Sequence, residues 1–495
     1  MSMRAWTNNQ LKLAVLLALV IGPSSTAWAQ HLQVTIKVSP ESSRLAIEGS
    51  GAARAQWSFT DSYGGVLGLA GRIENFQLFT ETDYPIEVRK LAPGQFESEK
   101  PAARFKYEVK LSPPAIPADA AMVSWLTRER GLLMLSDFLP LPAGKADSKS
   151  ALVKLAAPEN YKVLPRPAIT LSDFFVVPDI TQAVIVVGEH LRTTRATESG
   201  MDFDLIADGQ WAFTDDDVVE LVHQVLRTDR QVSGGVPANN ARLILFPYPQ
   251  NGSATQWSAE TRGTTVTLLM GKLPSKVGAL AQLSTPLCHE LFHLWVPNAL
   301  ALDGDYDWFY EGFTTYQAAR VAVRLNLMTF QEFLNAIGHA YDLYLKDTAR
   351  DRWSLVDASR RRWTGGSSSV YSKSMLIALV IDLQMREAGN DRGLDDLYRK
   401  LFAKYQRRHD ELVERVDGND AITALLDFER GMEGAAAAAI KDARAIDLAK
   451  ELAPYGLLVD RFGSHTRVAV AERPTKRQRD LLRELGYNAA SHSAR

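Results

Sequence analysis

Two histidines four residues apart, with a glutamate directly after the first, constrain this chain more than any other feature: His289-Glu290-Leu291-Phe292-His293. Positions i and i+4 of an α-helix lie about 6 Å apart and about 40° round the axis, so a helix lets both imidazoles reach one metal ion. Glu290 then projects beside the pair, where a carboxylate can take a proton from water. The flanks also read as helix. Ser284-Thr285-Pro286 offers an N-cap hydroxyl with proline at the first helical position, and Pro297 closes the segment soon after His293. The competing reading is a core helix whose histidines merely pack. That reading buries two imidazoles and a carboxylate without partners, which costs free energy.

Nitrogen and oxygen donors of this kind suit Zn2+ best, although cobalt or manganese fits the same set in vitro. Zinc needs a third protein ligand and one position left open. Glu311, within Asp307-Trp308-Phe309-Tyr310-Glu311-Gly312-Phe313-Thr314-Thr315-Tyr316, lies far enough beyond His293 for a short connection and a second helix. Apolar spacing is helical from Glu311 to about Leu325, which places Glu311 near a helix start. There a carboxylate is also favoured by the helix dipole alone. The aromatic flank and the distance favour the ligand reading.

These segments together resemble the gluzincin metallopeptidases. The likeness is carried by His289-Glu290-x-x-His293-x-Trp295 and by Trp308-Phe309-Tyr310-Glu311-Gly312-Phe313-Thr314-x-Tyr316, and it is nearest the glycyl aminopeptidase family, with the aminopeptidase N family as a cousin. The gap between His293 and Glu311 is shorter than that family shows, which implies a trimmed loop between Val296 and Asp307. Val370-Tyr371-Ser372-Lys373-Ser374 resembles the family's Tyr-x-Lys-Gly segment, with Ser374 in place of glycine. The resemblance implies that Tyr371 stabilises an oxyanion; the plain reading is a core tyrosine on an amphipathic helix. Tyr371 follows a run from Thr364 to Ser369 that reads as flexible, so it is expected at a helix start facing a cleft.

Trp257-Ser258-Ala259-Glu260-Thr261-Arg262 can be laid over the family's Gly-Gly-Leu-Glu-His segment, in which the glutamate binds a substrate α-amine. Only Glu260 matches, so it reads either as an amine-binding carboxylate or as a solvated loop residue. The resemblance implies an aminopeptidase-like enzyme that acts on peptide or protein substrates with small N-terminal residues. A zinc endopeptidase and a non-catalytic peptide-binding protein that keeps the fold are the alternatives.

Residues 1–29 read as a signal peptide, with Arg4 and Lys12 ahead of the apolar run Leu13–Ile21 and small residues ending at Ala29. The expected location is periplasmic or secreted, with no stable membrane span once the leader is cleaved. Cys288, the single cysteine, excludes an intramolecular disulfide, so stability rests on buried apolar surface. On a helix it points about 100° away from His289 and reads as a packing residue. A balance of 56 basic and 58 acidic residues gives no electrostatic reason to expect nucleic acid as a partner.

The expected fold is α+β and multidomain. Residues 31–195 alternate short strand-like runs with turns (31–38, 105–111, 183–187) and read as an N-terminal β-sandwich-like domain. Residues 196–330 read as a thermolysin-like α/β catalytic domain. Its expected parts are a helix at 215–226, a buried strand at 241–247 and a strand at 264–270 on the sheet edge, where substrate backbone would add. Residues 331–455 are helical by periodicity, including 375–386 and 394–405, and form a C-terminal helical domain. The extension 456–495 is expected to hold a small hairpin and a basic helix at 476–485. It is too short for the PDZ domain that many relatives carry.

Overall fold

A computed structural model describes residues 32–488 apart from 143–148, 167–168, 172, 251, 390–392, 408–414, 430–431 and 433. The expected leader at 1–29 lies outside the described residues. The chain divides into two compact units. One runs to Pro114 and resumes over Val123–Glu189; the other takes Ala115–Met122 and everything from His190 onward.

The first unit is built from alternating strands. In Leu32–Ser39 the side chains of Val34, Ile36 and Val38 are buried while their neighbours are not, the period of two expected of a strand with one face inward. That strand pairs antiparallel with Arg44–Ser58 and parallel with Ala151–Ala156. It sits inside a nine-stranded sheet that also contains Gln95–Lys110 and Ile73–Phe79. A second sheet, of four strands, orders Lys162–Arg166, Val184–Gly188, Arg130–Met134 and Trp125–Leu126. Leu133, Ile185 and Val187 from this smaller sheet share one core with Val34, Ile47, Phe105 and Tyr107 from the larger. The result is sandwich-like, as the strand pattern predicted.

The second unit holds the five-stranded sheet that positions the site. Its order is Arg192–Glu198, Met201–Ala207, Asn240–Pro247, Thr265–Met270, Trp257–Arg262. The three central strands run parallel, and each outer strand is antiparallel to its neighbour. Parallel strands need a crossover, and the helix Asp215–Ser233 supplies it between Met201–Ala207 and Asn240–Pro247. Thr214 and Asp217 cap that helix reciprocally, and Gly234, at φ 82°, ends it. All six residues of Thr265–Met270 are buried, because this strand is interior. The sheet edge is instead Trp257–Arg262, whose mixed polar and apolar residues suit a half-covered position. The expected edge at 264–270 is thus one strand too far inward.

Two boundaries also differ from expectation. Arg192–Glu198 is a strand of the second unit's sheet, so the first unit ends before 190. The short segment Ala115–Met122 belongs to the second unit, where Ser258 Oγ donates to the Ala118 carbonyl and the Arg262 guanidinium donates to the Met122 carbonyl at 2.6 Å. Helices Phe330–Lys346, Ser374–Glu387 and Leu394–Tyr405 share one apolar core with the sheet and with Leu283, Leu287 and Leu291. The 330/331 boundary therefore falls inside that core. Leu457–Phe462 and His465–Val470 form the expected hairpin, followed by the helix Lys476–Glu484. No helix among the described residues is long and apolar enough to cross a membrane.

Candidate metal centre and cleft

The helix that carries His289 and ends at His293 runs Lys276–Phe292, starting nearly three turns earlier than its local sequence signals suggest. Ser275 is the N-cap, its hydroxyl accepting the Gly278 N–H, and Pro286 lies inside the helix rather than at its start. Ser284-Thr285-Pro286 has the chemistry of a cap, but Ala279, Leu283, Leu287 and Leu291 form a four-residue apolar repeat that packs into the core through it. Pro286 removes the amide that would bond the Gln282 carbonyl, a loss that packing outweighs here. Cys288 points into the same core and is fully buried.

His289 and His293 stand at the C-terminal end of this helix with ring planes nearly perpendicular and their Nε2 atoms 3.1 Å apart. His293 Nδ1 donates to the Val296 carbonyl at 2.8 Å. A carbonyl only accepts, so Nδ1 keeps its proton and Nε2 is the nitrogen turned to the site, free to ligate once its own proton is lost. His289 Nδ1 faces the Thr315 hydroxyl at 3.5 Å, and that hydroxyl donates to the Glu311 carbonyl at 2.8 Å.

Glu311 comes from a wide helical turn, Trp308–Phe313, that runs directly into the helix Thr314–Arg324. Trp308, Phe309 and Phe313 bury the aromatic side of that turn, which turns Glu311 toward the histidines. Its Oε2 lies 3.3 Å from His289 Nε2 and 3.7 Å from His293 Nε2. Three donors on a tetrahedron with bonds of about 2.0–2.1 Å stand about 3.3 Å from one another. The separations of 3.1, 3.3 and 3.7 Å therefore fit a zinc-sized ion. Burial opposes charge on both groups, yet their contacts win. Glu311 is held well below the usual carboxylate range by His289, His293 and Arg362. His293 is raised to about 9 by Glu311.

Glu290 is buried beside this cage, and its carboxylate belongs with His289 and His293 to a group whose donor atoms lie within 4.8 Å of one another. The Thr261 hydroxyl, on the edge strand, reaches Glu290 Oε2 at 2.7 Å and the Glu290 carbonyl at 3.0 Å. Glu260 is the next residue along that strand, paired with Thr267, so it lies on a strand rather than a loop.

Tyr371 sits in a second wide turn, Ser369–Lys373, just ahead of the helix Ser374–Glu387. The preceding run is ordered rather than loose: a Cβ on Gly366 would fall 2.2 Å from the Ala358 carbonyl. The two wide turns touch through Gly312, where an added Cβ would lie 2.2 Å from Ser374 Cβ and 2.5 Å from the Val370 carbonyl. Glycine at 312 is what lets the Glu311 and Tyr371 turns meet. Burial pushes the Tyr371 phenol well above its usual pKa, and the charges of Glu311, Glu290 and Glu260 push the same way while Arg362 opposes them. The hydroxyl therefore keeps its proton and can donate it in a hydrogen bond.

The structure thus brings His289, Glu290, His293, Glu311 and Tyr371 together, with Glu260 on the adjacent strand. It adds Thr261 and Arg362. The Arg362 guanidinium pairs with Glu311 Oε1 at 2.8 Å and with Asp307 at 3.0 Å, and donates to the Tyr371 hydroxyl. Arg362 belongs to the run Arg360-Arg361-Arg362, and nothing in the sequence separates it from its neighbours.

Residues 282–377 match the family model of M61 glycyl aminopeptidase. That segment carries both histidines, Glu290, Glu311 and Tyr371, but not Glu260. No curated protein sequence matches the chain. Among solved structures, an aminopeptidase N family protein from Idiomarina loihiensis is similar at 14% identity, with a TM-score of 0.73 over 87% of this chain and 79% of that one. An M1 zinc metallopeptidase from Deinococcus radiodurans is similar at 12% identity, with a TM-score of 0.50 over 85% and 95% of the two chains. A variant of that enzyme bound to a Tyr-Ser-Ala substrate gives 0.51 at 14% identity, over the same shares. Identities this low show a common fold. The segment that matches the M61 glycyl aminopeptidase family lies over the very turns that build the ion-sized cage, and the chain around it has the fold of these zinc metallopeptidases.

Proposed function

We propose that the protein hydrolyses peptide bonds as an aminopeptidase, with Glu290 as general base and Tyr371 as oxyanion donor. The observation that carries this reading is the triangle of His289 Nε2, His293 Nε2 and Glu311 Oε2, at 3.1, 3.3 and 3.7 Å, with Glu290 directly beside it. His289, His293 and Glu311 would hold zinc, which would supply Lewis acidity for a water and for the scissile carbonyl.

The remaining steps fall to the chain's own groups. Thr261 occupies Glu290 Oε2, which leaves Oε1 to accept a proton from the attacking water and return it to the leaving amine. The Tyr371 hydroxyl donates to the carbonyl oxygen as negative charge builds there. The edge strand Trp257–Arg262 offers backbone groups for an extended peptide, and Glu260 offers a carboxylate for a protonated α-amine. The leader-like residues 1–29 support export to the periplasm or medium. The mature protein would then begin at Gln30, which N-terminal sequencing reads directly.

The test is Glu290→Gln. It is expected to bind one zinc per chain with an unchanged unfolding midpoint and to lose about 1,000-fold or more in kcat. Wild-type turnover in that variant would end the assignment. Amine recognition is separable from hydrolysis: a free glycyl peptide should be cut far faster than its N-acetylated form. Equal rates would make the enzyme an endopeptidase.

A further inference from the structure

Arg362 lies outside every sequence motif, yet its guanidinium serves four groups at once. Nη2 pairs with Glu311 Oε1 at 2.8 Å and donates to the Tyr371 hydroxyl. Nη1 donates to Asp307 Oδ1 at 3.0 Å and lies 3.4 Å from the Tyr310 hydroxyl. The side chain is only 11% exposed, and the Trp363 ring covers it at 4.3 Å.

We propose that Arg362 is a positioning residue that holds Glu311 to ligation through one oxygen and aims the Tyr371 hydroxyl at the substrate carbonyl. This rests on the function proposed above and adds a residue to it. A carboxylate can close both oxygens on a cation, which would fill the position that a catalytic zinc keeps open. Here Oε1 is turned to Arg362 while Oε2 faces the imidazole nitrogens, so one oxygen is left for the ion. The phenol oxygen has one proton to give and lone pairs to receive. Arg362 takes a lone pair, so the hydroxyl proton must point elsewhere, and a cation beside the oxygen strengthens it as a donor. Lysine has no planar fork and cannot meet Glu311, Tyr371 and Asp307 in one orientation.

A merely structural role, neutralising buried Asp307 and Glu311, would disturb stability without linking Arg362 to Tyr371. A double-mutant cycle on the zinc enzyme separates the two. Arg362→Met is expected to bind one zinc per chain, with kcat about 100-fold lower and KM within about threefold. In a Tyr371→Phe background the same change should cost only about tenfold, because its hold on Glu311 is then all that is lost. The cobalt-substituted Arg362→Met protein should show an altered visible spectrum, as a second carboxylate oxygen closes on the ion. Additive losses, wild-type kcat or an unchanged cobalt spectrum would each overturn the proposal. If Arg362→Met does not fold, Arg362→Lys carries the same cycle and the same criteria. If Tyr371→Phe and Glu290→Gln themselves keep full activity, the functional reading fails; if they lose it and the cycle is additive, only the role of Arg362 fails.

Discussion

The Thr261 hydroxyl, on the edge strand of the sheet, lies 2.7 Å from Glu290 Oε2 on the histidine helix. The strand that would receive substrate backbone therefore also orients the carboxylate that would handle the proton. Thr261→Val keeps the shape and removes that hydrogen bond. It is expected to lower kcat about tenfold, with zinc content and unfolding midpoint unchanged, as measured by steady-state kinetics and metal analysis. An unaltered kcat would mean that Glu290 needs no orienting partner.

Zinc uptake by metal-free protein should depend steeply on pH. Glu311 raises His293 from its ordinary 6.5 to about 9, so below that pH the ion must displace a proton. Apparent affinity is expected to rise about tenfold per pH unit up to about 9 and then level off. Calorimetry in buffers of different ionisation enthalpy should find about one proton released per zinc at pH 7. Fold stability without metal runs the other way. A raised pKa means that the His293 contribution is complete below about 6.5 and is lost as pH climbs through about 9. Urea midpoints of the metal-free protein at pH 6 and pH 9.5 should show that fall.

Gly312→Ala should weaken both the fold and the site. Its Cβ would press on Ser374 and on the Val370 carbonyl, pushing the Tyr371 turn away from the Glu311 turn. Overpacking of this kind costs about 1–3 kcal/mol. Urea denaturation should report that loss, with kcat falling more than zinc occupancy. A variant as stable as wild type would show that the two turns can slide apart freely.

The legible part of the site follows from how few chemical types can do the work. His289, Glu290 and His293 are readable because helix period and ligand chemistry coincide, and Glu311 because its distance and aromatic flank leave few alternatives. Thr261 and Arg362 are not readable. They act across 29 and 51 positions on Glu290 and Glu311, and a threonine in a strand or an arginine among arginines is common chemistry. The start of the histidine helix is not legible from Ser284-Thr285-Pro286, because cap residues are local signals while Ala279 and Leu283 extend the helix by packing. The sheet edge is not legible either, because an apolar run such as 265–270 fits an edge or an interior position until the neighbouring strand is known. The helices 375–386 and 394–405 agree closely with the structure because both runs lack Gly and Pro, the first apolar and buried on nearly every side, the second apolar along one face.

The one sulfhydryl of this molecule is locked in the interior on the same helix as the metal-binding imidazoles, and none of its surface is open to solvent. A thiol-reactive dye can therefore reach it only when that helix lifts out of its bed. The rate of labelling is a clock for that opening, and zinc should slow it in step with the grip the cage exerts on the fold.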